Sequence, residues 1–443
     1  MTNEHSSNFN PDTPASWQDQ WEDADEPRLR RSKVRDGKPR REPAANHSAL
    51  AEALARDPRV AMWLADAMPH ETATSLARLL SLPGLAQLAV MPDVHPSADT
   101  CVGVALATAG IVYPQAIGGD IGCGMATVRV GEASLDEGTC SDLFFAVRKS
   151  IDFVLARPSR RTPLPPSSSL PMTVRSLCRM PDATQLRAAE LRKVAERDGV
   201  MQLGTMGRGN HFVEVQRDVE GGVWVMVHTG SRAMGQAIAG HYVRAAKNTG
   251  VRAALLGLDV SSSVGDGYLA DQRWGVHYAR ANRTRLLVDA AQAVASCLGL
   301  TPDWQTLVDS PHNFVDEEVH AGASLLVHRK GAASAREGQL GLIPGSAGTF
   351  SVHVEGKGDA RSLCSSSHGA GRLMSRSDAK RAVAVSDLLR SMRGVAFDTE
   401  QASRLRDESP TVYRDLRVVL EAQRELVRVV RRVHPVASIK ASG

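Results

Sequence analysis

The 443-residue chain is 42% hydrophobic and 23% charged, and 53 basic against 49 acidic residues leave a net charge of +4. These are globular values for one large α/β unit or two to three domains, and the slight basic excess is compatible with a phosphate-rich partner. No apolar run approaches the length of about 18 residues needed to span a membrane, and six cysteines scattered without C-x-x-C pairs exclude a dense disulfide framework.

In chain order, residues 1–46 read as a disordered polar tail. An acidic patch at residues 21–26 precedes Arg28, Arg30, Arg31, Lys33, Arg35, Lys38, Arg40 and Arg41, with few apolar residues to drive burial. Such a tail is either solvated or a basic arm for nucleic-acid backbone. With no apolar leader at the N-terminus and reduced thiols, the expected setting is the cytoplasm. Residues 49–82 show helical spacing broken at Pro58 and Pro69. "LAQLAVMPDVH" predicts a buried strand that leaves the core at Pro92, and residues 103–130 predict short strands punctuated by glycines. Residues 156–171, rich in Pro, Ser and Arg, predict a mobile insertion. "VWVMVH" predicts a strand, "QAIAGHYVRAAKN" a helix, and residues 268–300 a long helix. Residues 386–389 lie in another helix, and the arginine-rich stretch "TVYRDLRVVLEAQRELVRVVRRV" is amphipathic.

The residues with chemical potential are dispersed from position 93 to position 440, which points to one integrated domain over residues 47–443. "GGDIGCGM" sets Asp120 and Cys123 on a glycine turn, where they either face a cation or form an ordinary turn with a buried thiol. "GRGNHFVEV" opens a strand whose period-2 alternation puts His211 and Val213 on one face and Asn210, Phe212 and Glu214 on the other. His228 ends an apolar strand, and "SPHNFV" offers His312 and Asn313. "HRKGAAS" and "IPGSAGTFS" read as loops for an anion, through Lys330, serines and backbone N–H groups. In "SSSHGAGRLMSR", His368 stands between serines and Gly369-Ala370-Gly371-Arg372, a pattern for a nucleophile or acid/base beside phosphate. One Asp, one Cys and several His make a mixed metal-ligand set. Thiolate softness suggests zinc or iron, so ligand type leaves the metal open.

"MPDVH", "GGDIGCGM", "GRGNHFVEV", "VHTGSR", "HN", "HRKGA", "IPGSAGT", "SSSHGAGRLMSR" and a terminal "IKASG" occur in one order that resembles the RtcB-type RNA ligases over residues 85–443. The resemblance implies a single large α+β catalytic domain with mixed β-sheets and flanking helices. It implies GTP and two Mn²⁺ ions as cofactors. The implied partner is RNA with 3′-phosphate or 2′,3′-cyclic phosphate ends and 5′-hydroxyl ends. A histidine would take GMP from GTP, pass it to the 3′-phosphate, and a 5′-hydroxyl would displace it. By motif the guanylylated residue is His368, with Arg372 placed to neutralise phosphate.

The implied metal ligands are Asp120, Cys123, His211, His228 and His312, with the Cys123 thiolate shared by both ions. The implied nucleotide site comprises Asn210, Glu214, Asn313, Ser351 and Lys440. Its other members are His211, Phe212, Val213, His312, Pro344, Gly345, Ser346, Ala347, His368, Gly369, Ala370 and Gly371. Glu214 is an acceptor suited to guanine N1–H and its 2-amino group. Alternative readings are a metal-dependent phosphoesterase or nucleotidyl-transfer relative, and an RNA-binding protein with vestigial catalysis. The chain departs from the family pattern at residues 96–100, at Gly122 before the cysteine, and at Arg208.

Overall fold

The computed structural model describes residues 49–154 and 170–440; residues 1–46 and nearly all of the Pro/Ser-rich stretch lie outside them. Seventeen strands follow one another among the described residues. They are β1 (Val60–Met62), β2 (Leu85–His95), β3 (Val102–Thr108), β4 (Ile111–Val112), β5 (Gly124–Glu132), β6 (Phe212–Asp218), β7 (Gly222–Thr229), β8 (Val251–Arg252) and β9 (Leu256–Asp259). Then come β10 (Asp303–Pro311), β11 (Asn313–His320), β12 (Ala323–Lys330), β13 (Ala332–Ser334), β14 (Leu340–Ile343), β15 (Ser351–Gly356), β16 (Ser365–Ser367) and β17 (Val427–Lys440). The main sheet has order β10-β5-β7-β6-β17-β15-β14, and a second has order β1-β2-β3-β12-β11. Only β1 and β2 pair in parallel within these two sheets, so with flanking helices the expected mixed-sheet α+β class holds.

Alternation divides the main sheet into two faces. Val213 and Val215 of β6, with Val223, Val225 and Val227 of β7, pack on Leu143 and Val147 of the helix Glu137–Ser150 and on Leu286, Leu287 and Val294 of the helix Ser263–Leu298. Phe212 and Glu214 lie on the other face and line a cleft. The long helix starts five residues earlier than its apolar spacing predicts. Ser262 caps it by accepting the Gly265 N–H, and Gly299 in the left-handed region ends it.

Two expectations need correction. Strand β2 does not leave the core at Pro92: it stays buried through Val94 and runs to His95, and its pairing with β3 is interrupted between Val90 and His95, so the missing proline N–H breaks no bonded pair. The arginine-rich C-terminal stretch is not one amphipathic element either. A short helix, Leu416–Ala422, gives way to β17, where Val427, Val429, Val430, Val433 and Val436 favour the extended chain. Strands β10 and β11 belong to different sheets, and His312 is the single residue between them. Elements of both sheets therefore converge at that histidine.

Candidate active site

The turn before β5 carries Asp120 and Cys123. Gly122 has φ +70°, and a side chain there would lie 2.8 Å from Ala279 Cβ on the long helix, so glycine is required by both conformation and space. Its N–H donates to Asn313 O at 2.6 Å, and the His312 N–H donates to Cys123 O at 2.8 Å. Arg283, wholly buried, donates to Gly122 O and Thr229 O and pairs with Asp309 at 2.8 Å. One guanidinium thus ties the turn to the end of β7.

Cys123 Sγ lies 3.2 Å from His228 Nε2 and 3.6 Å from His211 Nε2. The opposite ring nitrogens face carbonyls: His211 Nδ1 is 2.9 Å from Met206 O, and His228 Nδ1 is 3.0 Å from Asn210 O. A carbonyl only accepts, so each Nδ1 carries the proton and each Nε2 presents a lone pair toward sulfur. The ligand atoms of these three residues lie within 4.8 Å of one another. Asp120 Oδ2 adds a fourth donor atom, 3.1 Å from His211 Nε2. His312 stands beyond the trio, its ring 5.3 Å from His228 and 4.7 Å from His368.

Burial, then the neighbouring histidines, pushes His228 and His312 well below the usual imidazole range, so both rings are neutral as ligation requires. Burial and the Asp120 charge push the Cys123 thiol well up. Burial also raises the Asp120 carboxyl, but His211, Cys123 and His228 outweigh it and hold the group at about 2. Bare imidazole lone pairs, a carboxylate and a thiol converging in a buried space fit a transition-metal dication.

His368 follows β16, whose Ser367 is held at both N–H and Oγ by the buried Gln423. Both the His368 N–H (3.2 Å) and Nδ1 (2.7 Å) reach Asp93 Oδ2. Asp93 is fully buried at the end of β2. It was legible only as the acidic member of "MPDVH". With Nδ1–H on the carboxylate, Nε2 is left as a free lone pair. Gly371, φ +75°, passes so close to β2 that a Cβ would lie 2.6 Å from Asp93 O. Asp93 O also receives His95 Nδ1 at 2.9 Å, and His95 lines the same cleft.

The cleft holds about 650 Å³, its open mouth included. Its walls are Asn210, Phe212 and Glu214 on one side, Pro344, Gly345, Ser346, Ala347 and Ser351 on another, and His368, Gly369, Ala370, Gly371 and Lys440 on a third. Met125, His228, Arg372 and Tyr413 complete it. Four residues expected to bind nucleotide do not line it. Val213 turns into the core on the opposite sheet face. The Asn313 amide is engaged within the protein, donating to Asp120 O and accepting the Gly331 N–H. His211 and His312 lie behind the cleft with the thiol.

Several anion-loop expectations also change. "HRKGAAS" forms β12 and β13: His328 accepts the Tyr113 N–H, buried Arg329 pairs with Glu318, and Lys330 donates to Thr100 O. In "IPGSAGTFS" the Gly345 and Ser346 N–H groups are taken by Ser351 and Thr349 hydroxyls. Arg372 donates to Met374 O, Glu408, Tyr413 and Asp407 O, so it braces residues 406–413.

Glu408 is the hub of that wall. Lys440, Arg376 and the Tyr413 hydroxyl all reach it. Burial raises the Glu408 carboxyl, but Lys440 and the arginines prevail and hold it at about 2. Glu214 goes the other way: burial pushes it up to about 7 against the pull of Lys440, Gln216 and Ser438.

The family model for tRNA-splicing ligase RtcB matches residues 75–441. An RNA-splicing ligase RtcB1 of Escherichia coli is 32% identical over 367 residues, covering 80% of this chain and 90% of its own length. An RNA-splicing ligase RtcB of Mycobacterium tuberculosis is 30% identical over 433 residues, covering 82% of this chain and 99% of its own length. With a buried Cys/His/His cluster beside an aspartate-held histidine, and with relatives matched over most of both lengths, the chain belongs to the tRNA-splicing ligase RtcB family.

Proposed function

We propose that the chain is a GTP- and Mn²⁺-dependent RNA ligase that joins 3′-phosphate or 2′,3′-cyclic phosphate ends to 5′-hydroxyl ends through His368. The observation that carries this reading is the 2.7 Å contact of His368 Nδ1 with Asp93, in a cleft lined by His368, Glu214 and His228, with the Cys123 thiol behind His228. The Nε2 lone pair attacks the GTP α-phosphorus, a P–N bond forms, the α–β P–O bond breaks, and pyrophosphate leaves. Nδ1 keeps its proton on Asp93 throughout, so the ring needs no further base. A 2′,3′-cyclic phosphate is first opened by water to the 3′-phosphate; an oxygen of that phosphate displaces Nε2, and the 5′-hydroxyl finally attacks the 3′-phosphorus, giving its proton to solvent as the P–O bond to GMP breaks and GMP leaves.

Glu214 accepts the guanine donors, while Phe212 offers an aromatic face and Lys440 a cation beside the base. Divalent ions on Cys123, His211 and His228, flanked by Asp120 and His312, would neutralise charge on the phosphates and their leaving oxygens. The reading includes a cytoplasmic location and a basic arm or solvated tail at residues 1–46; among the described residues no helix is long and apolar enough to cross a membrane.

The test is incubation with α-labelled GTP and Mn²⁺, followed by denaturing electrophoresis. Wild-type protein should carry an acid-labile, base-stable label, and His368→Ala should bind GTP but carry none. The variant should still seal RNA already bearing the activated 3′ end. A label that persists in His368→Ala would move the nucleophile elsewhere.

A further inference from the structure

Behind Glu214 lies a side chain that the proposed chemistry does not use. Gln216, two residues further along β6 on the same face, is wholly buried and donates from Nε2 to Glu214 Oε2 at 2.9 Å. Its second N–H faces Met226 Sδ at 3.7 Å, and its Oε1 is buried with no hydrogen-bond partner. The amide orientation is therefore one-sided, with both contacts on its donor end. From β17, the Ser438 hydroxyl donates to the other carboxylate oxygen, Glu214 Oε1, at 3.2 Å.

Counting lone pairs gives the consequence. A carboxylate offers about two acceptor sites per oxygen. Gln216 and Ser438 occupy one on each, leaving one open on each oxygen. That remainder matches two parallel donors, as on the guanine N1–H and 2-amino edge. The adenine edge presents an acceptor and a donor, and it pairs instead with a neutral carboxyl, whose O–H donates while its carbonyl accepts.

We propose that Gln216 is a specificity-determining positioning residue, which holds Glu214 in one orientation as an acceptor-only carboxylate and so selects guanine over adenine nucleotides. The role rests on the nucleotide reading above. Burial pushes Glu214 up to about 7, with Lys440, Gln216 and Ser438 opposing that rise. The charged and titratable groups around it are Lys440 on β17, Glu408, Tyr413, Arg372 and Arg376 behind that lysine, His228 on the adjacent strand β7, and His95 and His368 in the lining of the same cleft. Removing a donor raises the carboxyl further, so at neutral pH more of it is protonated. Guanine recognition then falls and returns as the pH is raised.

The experiment is competition between GTP and ATP for the Mn²⁺-loaded full chain from about pH 6 to about pH 9. Gln216→Met keeps size and removes the amide; its preference for GTP should fall about tenfold or more at neutral pH and recover toward pH 9. Ser438→Ala should shift in the same direction by less, and it carries the test if Gln216→Met does not fold. A wild-type preference that both variants share at every pH, or a loss equal for the two nucleotides and independent of pH, overturns the role of Gln216. A wild-type chain that labels His368 with GTP and ATP alike overturns the nucleotide reading, and this role with it.

Discussion

Asp93 Oδ2 and His368 Nδ1 stand 2.7 Å apart, joined across 275 residues of chain and fully shielded on the aspartate side. The pair fixes both the ring's orientation and the tautomer of its neutral form, because the carboxylate accepts from Nδ1 and so assigns the lone pair to Nε2. In Asp93→Asn an amide replaces the carboxylate at similar volume. It is free to turn its NH₂ toward Nδ1, which puts the proton on Nε2. Adduct formation should fall by about 10²–10⁴-fold while nucleotide binding and fold are kept. Single-turnover labelling against GTP affinity separates the two; equal losses in both would reduce Asp93 to a packing residue.

Cys123 is the meeting point of His211 and His228, and its substitution tests the metal reading directly. Cys123→Ser preserves volume but offers a hard, neutral oxygen where a thiolate would bind. Mn²⁺ or Zn²⁺ affinity should drop by about 10–100-fold or more, with little change in unfolding temperature of the metal-free chain. Titration followed by elemental analysis checks this, and unchanged stoichiometry and affinity would remove the thiol from the site.

Much of this site was readable in the chain because it obeys local rules. The alternation that put Asn210, Phe212 and Glu214 on one face and Val213 on the other is the alternation observed, as Val213 lies in the core. His228 does stand near the end of a buried strand. What local rules cannot carry is which distant partner a polar residue meets. Asn313 looks like a ligand in sequence, yet its amide bridges Asp120 and Gly331. "HRKGAAS" has the composition of an anion loop, yet Glu318, Thr100 and Tyr113 from other segments satisfy its donors and acceptor. Asp93 and Glu408 matter only because residues far along the chain fold onto them.

Arg283 is a third such case, and it predicts a structural effect on the site. Its donors hold Gly122 O, Thr229 O and Asp309 from the middle of the long helix. Arg283→Met fills the space but leaves two carbonyls and a carboxylate without that partner. Stability should fall by about 3–5 kcal/mol. The Asp120–Cys123 turn should loosen with it, so denaturant unfolding and metal affinity should both decline. A normal unfolding midpoint would mean that Arg280, 3.6 Å from Asp309, carries the carboxylate alone.

Glu408 links stability to pH. Its carboxyl is held at about 2 against an ordinary 4.5: burial works to raise it, and Lys440, Arg376 and Arg372 lower it by more. A depressed carboxyl stabilises the fold fully above its unfolded value. That contribution fades as the pH falls from about 4.5 toward 2, because the unfolded chain takes up the proton first. Glu408→Gln cannot ionise and leaves Lys440, almost completely enclosed, without its counter-charge. The variant should be about 3–5 kcal/mol less stable at neutral pH, and the gap to wild type should narrow below about pH 4. Nucleotide affinity should fall as well, since Lys440 and Arg372 lose the group that holds them at the cleft wall. Urea unfolding at neutral and acid pH is the measurement, and a stability gap that stays constant down to about pH 3 would show that Glu408 is not the ionised hub of this wall.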